Sequence, residues 1–193
     1  MKLILASNNR GKLREIKEII GDLGLEVMTK DEAGLGGPSP VEDADSLEGN
    51  ALIKARALDT DQAVLADDTG LFVRALDGPG VHTARYAGEG ATDEANRAKL
   101  FNDMEGIEDR SAYFETVIVL LYKGDVYTAR GRCHGEILRE EAGDLGFGYD
   151  SIFKPDGYEK SFAQLDPAIK NSISHRSRAL EDLKGILEDL GHD

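Results

Sequence analysis

The N-terminal segment carries two hydrophobic periodicities in succession, and the switch between them is what most restricts the fold. Leu3, Ile4, Leu5 and Ala6 form a short apolar run with β-branched character, after which Leu13, Ile16, Ile19 and Ile20 recur at helical spacing. Strand, tight turn and helix are expected in that order. The joint is Ser7, Asn8, Asn9, Arg10, Gly11 and Lys12. A turn there aims unpaired backbone N–H groups and the positive end of the helix dipole at whatever lies above it, which suits an anion. Ser7, Asn9 and Lys12 add side-chain donors. The plainer alternative is that Ser-Asn-Asn caps the helix.

A chain of 193 residues is long enough for a sizeable core in one domain or two closely joined lobes, and no linker interrupts it. Lys and Arg number 23 against 37 Asp and Glu, a net charge of −14, which argues against a nucleic-acid surface. A polyanionic ligand therefore needs a local cationic pocket. Cys133 is the only cysteine, so an internal disulfide is impossible and a cytoplasmic protein is expected. The apolar run at the N-terminus is too short for a signal peptide or a membrane span, so no membrane association is expected. His82, Cys133, His134, His175 and His192 show no zinc-like pairing.

Further along, Leu25 to Thr29 reads as a strand, and Lys30 to Ser46 as a Gly/Pro/acid-rich loop of a length that is usually functional or disordered. Leu47 to Leu58 reads as a helix, with Leu47, Ala51, Lys54 and Leu58 near one face. Ala63 to Ala66 is a buried-type strand ending in Asp67-Asp68-Thr69-Gly70, and Leu71 to Ala75 continues extended. A helix is expected over Thr92 to Met104, capped by Thr92, with Ala95, Ala98, Phe101 and Met104 at helical spacing. Ser111 to Tyr122 and Val126 to Leu138 flank Lys123-Gly124-Asp125 and read as a hairpin. Neither face of the second strand is strongly apolar, which places it at solvent or a cleft. Ser174 to Leu190 reads as one amphipathic helix, capped by Ser174, with Leu180, Leu183, Leu187 and Leu190 as its stripe.

Three segments could do chemistry. In "VLADDTGL", two carboxylates step out of an apolar run. Burying them without partners is costly, which favours a metal or proton-transfer site over simple capping. Successive strand residues point to opposite faces, so Asp67 and Asp68 diverge unless the strand ends there. Glu42 and Asp43 are candidates to complete a hard-cation site. Asp-Thr-Gly after a strand is also the mark of aspartic proteases, a reading that leaves the other motifs unexplained. "LGFGYDSIF" sets aromatics beside glycines, fit to stack on a planar ligand or to pack as core. "KNSISHRSRAL" places Lys170, His175 and Arg176 around a helix start, where cations oppose the dipole unless an anionic or acceptor ligand binds. No Walker P-loop, Gly-x-Gly-x-x-Gly or Gly-x-Ser-x-Gly occurs.

Taken together, "SNNRGK", "EGNALIKAR", "ADDTGLFVRALDGPGVHTARYAG", "FGYDSIF" and "KNSISHRSRAL" resemble, in order and over nearly the whole chain, the inosine triphosphate pyrophosphatase family. Thr69 stands where serine is usual, and His82-Thr83 where tyrosine-serine is common. The resemblance implies one domain over 1–193 with an elongated, two-lobed α/β fold around a long mixed β-sheet with flanking helices. It also implies an active-site cleft between the lobes and a homodimer. The implied activity is hydrolysis of ITP, dITP and XTP to the monophosphate and pyrophosphate. By the same resemblance, Ser7, Asn8, Asn9, Arg10, Gly11, Lys12 and Lys54 bind the triphosphate, and Glu42 and Asp68 hold Mg2+. Asp67 assists metal or water positioning, Asp68 accepts the proton, with Lys54 beside them, and Thr69 contacts substrate. Phe147, Gly148, Tyr149, Asp150, Lys170, His175 and Arg176 form the nucleoside pocket. Two rivals stay open: a nucleotide-binding regulator without chemistry, and a pyrophosphatase acting on modified pyrimidines or methylated bases.

Overall fold

The computed structural model describes residues 1–191; His192 and the last position of the expected 1–193 domain lie outside the described residues. The strands form one mixed sheet. In chain order the elements are β1 (Lys2–Leu5), α1 (Arg10–Ile20), β2 (Glu26–Thr29), α2 (Leu47–Arg56), β3 (Ala63–Val73), β4 (Pro79–Gly80), α3 (Asp93–Asp103), β5 (Ser111–Tyr122), β6 (Asp125–Ile137), β7 (Phe153–Pro155), α4 (Pro167–Ile173) and α5 (His175–Gly191). The strand order is β2-β1-β3-β5-β6-β7, with β4 paired to β3. β1 runs parallel to both β2 and β3, whereas β3–β4 and β6–β7 are antiparallel. The mixed α/β class expected from the family resemblance is the class observed.

The chain forms two compact units. The first takes Met1–Asp68, Thr116–Gly131 and the C-terminal segment from His175. Within it the sheet is apolar on both faces. Leu3, Leu5, Leu65, Ile118 and Leu120 pack against Leu13, Ile16 and Ile20 of α1 and Leu180, Leu183 and Leu187 of α5. Val64, Ala66 and Val119 pack with Ala51 and Ala55 of α2 on a second cluster. Each fully buried leucine of the α5 stripe contributes about 1.5–3 kcal/mol relative to exposure. This is the strand-turn-helix pattern of the N-terminus realised: in the first half of β3, Ala63 and Leu65 face α1 and α5, and Val64 and Ala66 face α2.

The second unit takes Thr69–Glu115 and Arg132–Ser174. Its core joins Leu71, Val73, Leu100, Met104, Phe114, Cys133, Ile137, Ile152, Phe153 and Phe162. The β5–β6 hairpin turns at Lys123 and Gly124, both at positive φ (51° and 88°), the combination a two-residue type I′ turn demands.

Four expectations are corrected. β3 does not stop at Asp67 but runs through to Val73, so the carboxylates lie inside a strand. On α3 the buried positions are Asn96 and Leu100, continued by Met104, while Ala95 and Ala98 are exposed. A polar residue is accepted there because the Asn96 amide bonds Ala87 N–H and Ala84 C=O at 2.8 and 3.0 Å. On β6, Ala129, Gly131, Cys133, Gly135 and Ile137 are buried rather than bordering solvent. Small residues serve because backbone, not side chains, covers them: a Cβ on Gly131 would lie 2.1 Å from the His175 carbonyl, and one on Gly135 2.3 Å from that of Lys154. Finally, the C-terminal helix expected over Ser174 to Leu190 is observed as α5, but Lys170, expected around its start, lies on a separate short helix that precedes it. Lys170 belongs to α4, started by Asp166 as cap and Pro167 at its first turn, and Ser174 is the extended residue that closes α4 through its N–H to Lys170 C=O.

Candidate active site

The turn after β1 is built from its own polar side chains. Asn9 Oδ1 caps α1 by accepting from Lys12 N–H at 3.1 Å, and Ser7 Oγ accepts from Asn9 N–H at 3.1 Å. Asn8 Oδ1 accepts from Asp31 N–H at 3.2 Å, tying the turn to the loop after β2. The capping alternative is thus realised, but it uses acceptor oxygens only. The Ser7 hydroxyl and the Asn8 and Asn9 amide groups keep their donor function, and Arg10 is exposed beside them. Gly11 leaves room for the cap, since a Cβ there would meet Asn9 Oδ1 at 3.1 Å.

Strand alternation sends the two adjacent carboxylates of β3 to different partners. Asp67, on the α1 and α5 side, accepts from Lys12 Nζ at 2.7 Å, and Arg176 Nε stands 3.8 Å from its other oxygen. Burial works to raise the Asp67 pKa, yet Lys12 and Arg176 together prevail and hold it at about 2. Arg176 also contacts Glu15 through Nη1 at 3.2 Å. Asp68, on the α2 side, meets Lys54 Nζ at 3.2 Å, and Glu42 Oε1 approaches the same Nζ at 3.0 Å. Burial, reinforced by the neighbouring Glu42 charge, pushes Asp68 above the usual carboxylate range despite Lys54 and the Asn50 amide. Burial also works against the Lys54 charge, but Asp68, Asp67 and Glu42 raise its pKa overall.

Glu42 and Asp68 therefore present two anionic oxygens to one point, occupied by an ammonium. That donor set fits a hard divalent cation, which would relieve the mutual repulsion of the two acids. Among the described residues no three His, Cys, Asp or Glu side chains are grouped to hold a metal by themselves. A cation held there has to draw most of its oxygens from ligand and water.

In the second unit the "FGYD" segment divides its aromatics. Tyr149 is core, 4 % exposed, and its hydroxyl donates to Thr83 C=O at 2.7 Å; Phe147 is 65 % exposed. Asp150, buried, accepts from Phe147 N–H at 3.1 Å and from Lys170 Nζ at 2.7 Å. The same ammonium lies 5.5 Å from the centre of the Phe147 ring, within cation–π range. Gly146 has to be glycine: it sits at φ 76°, and a Cβ would fall 2.1 Å from Asp150 Oδ2. Thr69 follows Asp68 in β3 and is partly buried. Thr83, in the place where serine is common, bonds Leu71 N–H and Gly80 C=O through its hydroxyl at 2.8 and 2.6 Å, so the departure keeps the loop contact.

The candidates thus fall into three groups: Lys12, Asp67 and Arg176; Glu42, Lys54 and Asp68; and Phe147, Asp150 and Lys170. Residues 3–186 match the sequence profile of the Ham1 family. The chain belongs to the Ham1 family. It is 45 % identical over 196 aligned residues to the dITP/XTP pyrophosphatase of Desulforamulus reducens, covering 98 % of this chain and 97 % of that protein. It is 42 % identical to the dITP/XTP pyrophosphatase of Flavobacterium johnsoniae, covering 97 % and 98 %. The solved structure of a HAM1 protein from Coxiella burnetii superposes with a TM-score of 0.91 at 39 % identity, covering 98 % of this chain and 99 % of that one.

Sequence reasoning on this Ham1-family chain passed over several partners. Asn50 is 2 % exposed, holds Ala44 N–H at 3.0 Å and bonds Asp68; its position four residues before Lys54, on one face of α2, was the available signal. Glu15, which engages Arg176, had none, because its partner is 161 positions away. Nor did Asp93 and Arg97, whose bonds to Gly148 are purely tertiary.

Proposed function

We propose that the chain hydrolyses deaminated purine nucleoside triphosphates, dITP, ITP and XTP, to the nucleoside monophosphate and pyrophosphate. Its place is the cytoplasm, where it clears the nucleotide pool, and it works as a homodimer. Family membership and the dITP/XTP pyrophosphatase relatives support the substrate class. That no helix among the described residues is long and apolar enough to cross a membrane accords with the site of action. The observation that carries the reading is the Glu42–Lys54–Asp68 cluster, in which a carboxylate of raised basicity stands against a cation and a second acid.

Lys12 and Lys54, with the Ser7-to-Gly11 donors, counter the triphosphate charge. Glu42 and Asp68 hold Mg2+, which when bound neutralises phosphate charge and polarises the phosphoryl oxygens. Asp68 takes a proton from water as the water oxygen bonds to the α-phosphorus; the bond from that phosphorus to the bridging oxygen breaks, and pyrophosphate leaves. Lys54 keeps Asp68 ionised against its burial. Asp67 anchors Lys12 and Arg176. Phe147 stacks on the base, Asp150 and Lys170 serve its edge, and His175 and Arg176 supply donors to the oxygen at the sixth ring position.

A panel of nucleoside triphosphates, with products separated by chromatography, tests this: monophosphate and pyrophosphate from dITP and XTP are expected, and only with Mg2+ or a similar hard cation. Diphosphate and orthophosphate would assign the wrong bond, and tight binding without products would favour the regulator reading.

A further inference from the structure

We propose that Asp93 and Arg97 of α3 are positioning residues for base recognition, holding the N–H and the C=O of Gly148, one in each flanking peptide group, and thereby fixing the neighbouring Phe147 ring and Asp150. The inference rests on the reading that Phe147 stacks on the base. Gly148 N–H donates to Asp93 Oδ2 at 2.9 Å, and Gly148 C=O accepts from Arg97 Nη1 at 2.7 Å. The two side chains are four residues apart and so share one face of α3. Arg97 is itself anchored, because its Nε donates to Glu141 at 2.5 Å and its side chain is only 18 % exposed. The guanidinium thus spans two acceptors through a planar fork that a lysine cannot copy.

The loop needs such a clamp. Gly143, Gly146 and Gly148 all adopt positive φ (89°, 76° and 61°), and glycine leaves the backbone many alternatives. The loop borders an open pocket of about 260 Å³, lined by Arg97, Glu141, Leu145, Phe147 and Gly148 among others, so on that side Gly148 is held by hydrogen bonds to α3. Phe147 is largely exposed, with the Lys170 ammonium near its ring as a side-chain contact. What defines its place is the turn from Phe147 to Asp150, closed by the Phe147 N–H bond to Asp150 and gripped at Gly148 by the clamp. The rival explanations are structural: Asp93 stands in the first turn of α3, where any negative charge favours the helix dipole, and Arg97–Glu141 is an ordinary ion pair.

The chain has no tryptophan, so F147W carries a sole indole reporter at the stacking position. Inosine monophosphate is expected to quench it. In F147W/R97A and F147W/D93A the quenching constant is expected to weaken about tenfold, the scale of one lost charge-assisted hydrogen bond. F147W/D93N should recover most of it, because the amide oxygen still accepts from Gly148 N–H while the charge is gone. In the parent background, R97A and D93A should raise KM for dITP by about the same factor with kcat within about threefold, the pattern of lost binding rather than lost chemistry. Unchanged quenching in both alanine variants, each melting cooperatively, overturns the clamp. D93N as weak as D93A assigns Asp93 to the helix dipole and overturns its part. No quenching in F147W itself removes the stacking reading and this proposal with it, while leaving the product assay to judge the activity.

Discussion

Asp67 and Asp68, neighbours in β3, belong to different ion-pair systems: Lys12 Nζ stands 2.7 Å from Asp67 and Lys54 Nζ 3.2 Å from Asp68. One carboxylate is held far below its ordinary pKa and the other above it. Divergent environments of this kind separate a structural or electrostatic acid from one suited to proton transfer.

The first prediction separates them by substitution. D68N is expected to abolish turnover without lowering Tm. The folded pKa of Asp68 lies above its ordinary value, so its ionisation at neutral pH costs the fold stability, and an uncharged isostere relieves that cost. D67N leaves Lys12 and Arg176 without their shared carboxylate and should cost about 3 kcal/mol, or roughly 6–12 °C in a chain of this size. Thermal melts with product chromatography check both; equal loss of Tm in the two variants would refute the assignment.

Magnesium dependence offers a second prediction. E42Q removes one of the two anionic oxygens at Lys54 Nζ and is expected to raise the Mg2+ concentration needed for half-maximal rate, while saturating Mg2+ restores most of kcat. A metal titration of the initial rate decides it, and an unshifted curve would take Glu42 out of the cation site.

Arg176 carries the third. Its guanidinium has donors and no acceptor, so it suits the six-position oxygen of hypoxanthine and not the amine of adenine. R176A is expected to lose most dITP activity and to narrow the preference for inosine over adenosine nucleotides. Sites built around a required hydrogen bond can discriminate by about 10⁴-fold. Specificity constants for both nucleotides measure this, and an unchanged ratio would restrict Arg176 to its ion pairs with Glu15 and Asp67.

Tyr149 gives a pH prediction. Burial pushes its phenol well above the ordinary tyrosine range, and the neutral hydroxyl donates to Thr83 C=O. A folded pKa raised above the unfolded one means that its contribution is fully present below about pH 10 and is lost as pH rises through the folded value. In an alkaline spectroscopic titration Tyr149 should ionise only as the chain unfolds. Y149F should cost about 1 kcal/mol at neutral pH and abolish that delayed component.

Gly131 supplies the last. A Cβ there would lie 2.1 Å from His175 C=O and 2.3 Å from Ala179 N, both backbone atoms that cannot rotate away. G131A is expected to destabilise by about 3 kcal/mol, the upper end of overpacking costs. A denaturant midpoint within error of the parent would refute the close approach of α5.

By itself the sequence determined what local chemistry dictates. The N-terminal strand, turn and helix, the hairpin at Lys123-Gly124 and the leucine stripe of α5 follow from periodicity and turn residues, signals that act over a few positions. The residue types of the candidate site were readable for the same reason, since donors at a helix start and carboxylates in an apolar run are local anomalies. Tertiary structure alone decided the partners. Whether β3 stopped at Asp67 depended on pairing with strands distant in sequence, and that continuity sent the two acids to opposite faces. β6 looked uncommitted because glycine and alanine carry little hydrophobic signal, yet backbone from α5 and β7 covers them. Asn96 took an inward place because its amide finds two backbone partners around Ala84 and Ala87. Such choices are made by the burial and hydrogen bonding of groups far apart along the chain, which no window of neighbouring residues contains.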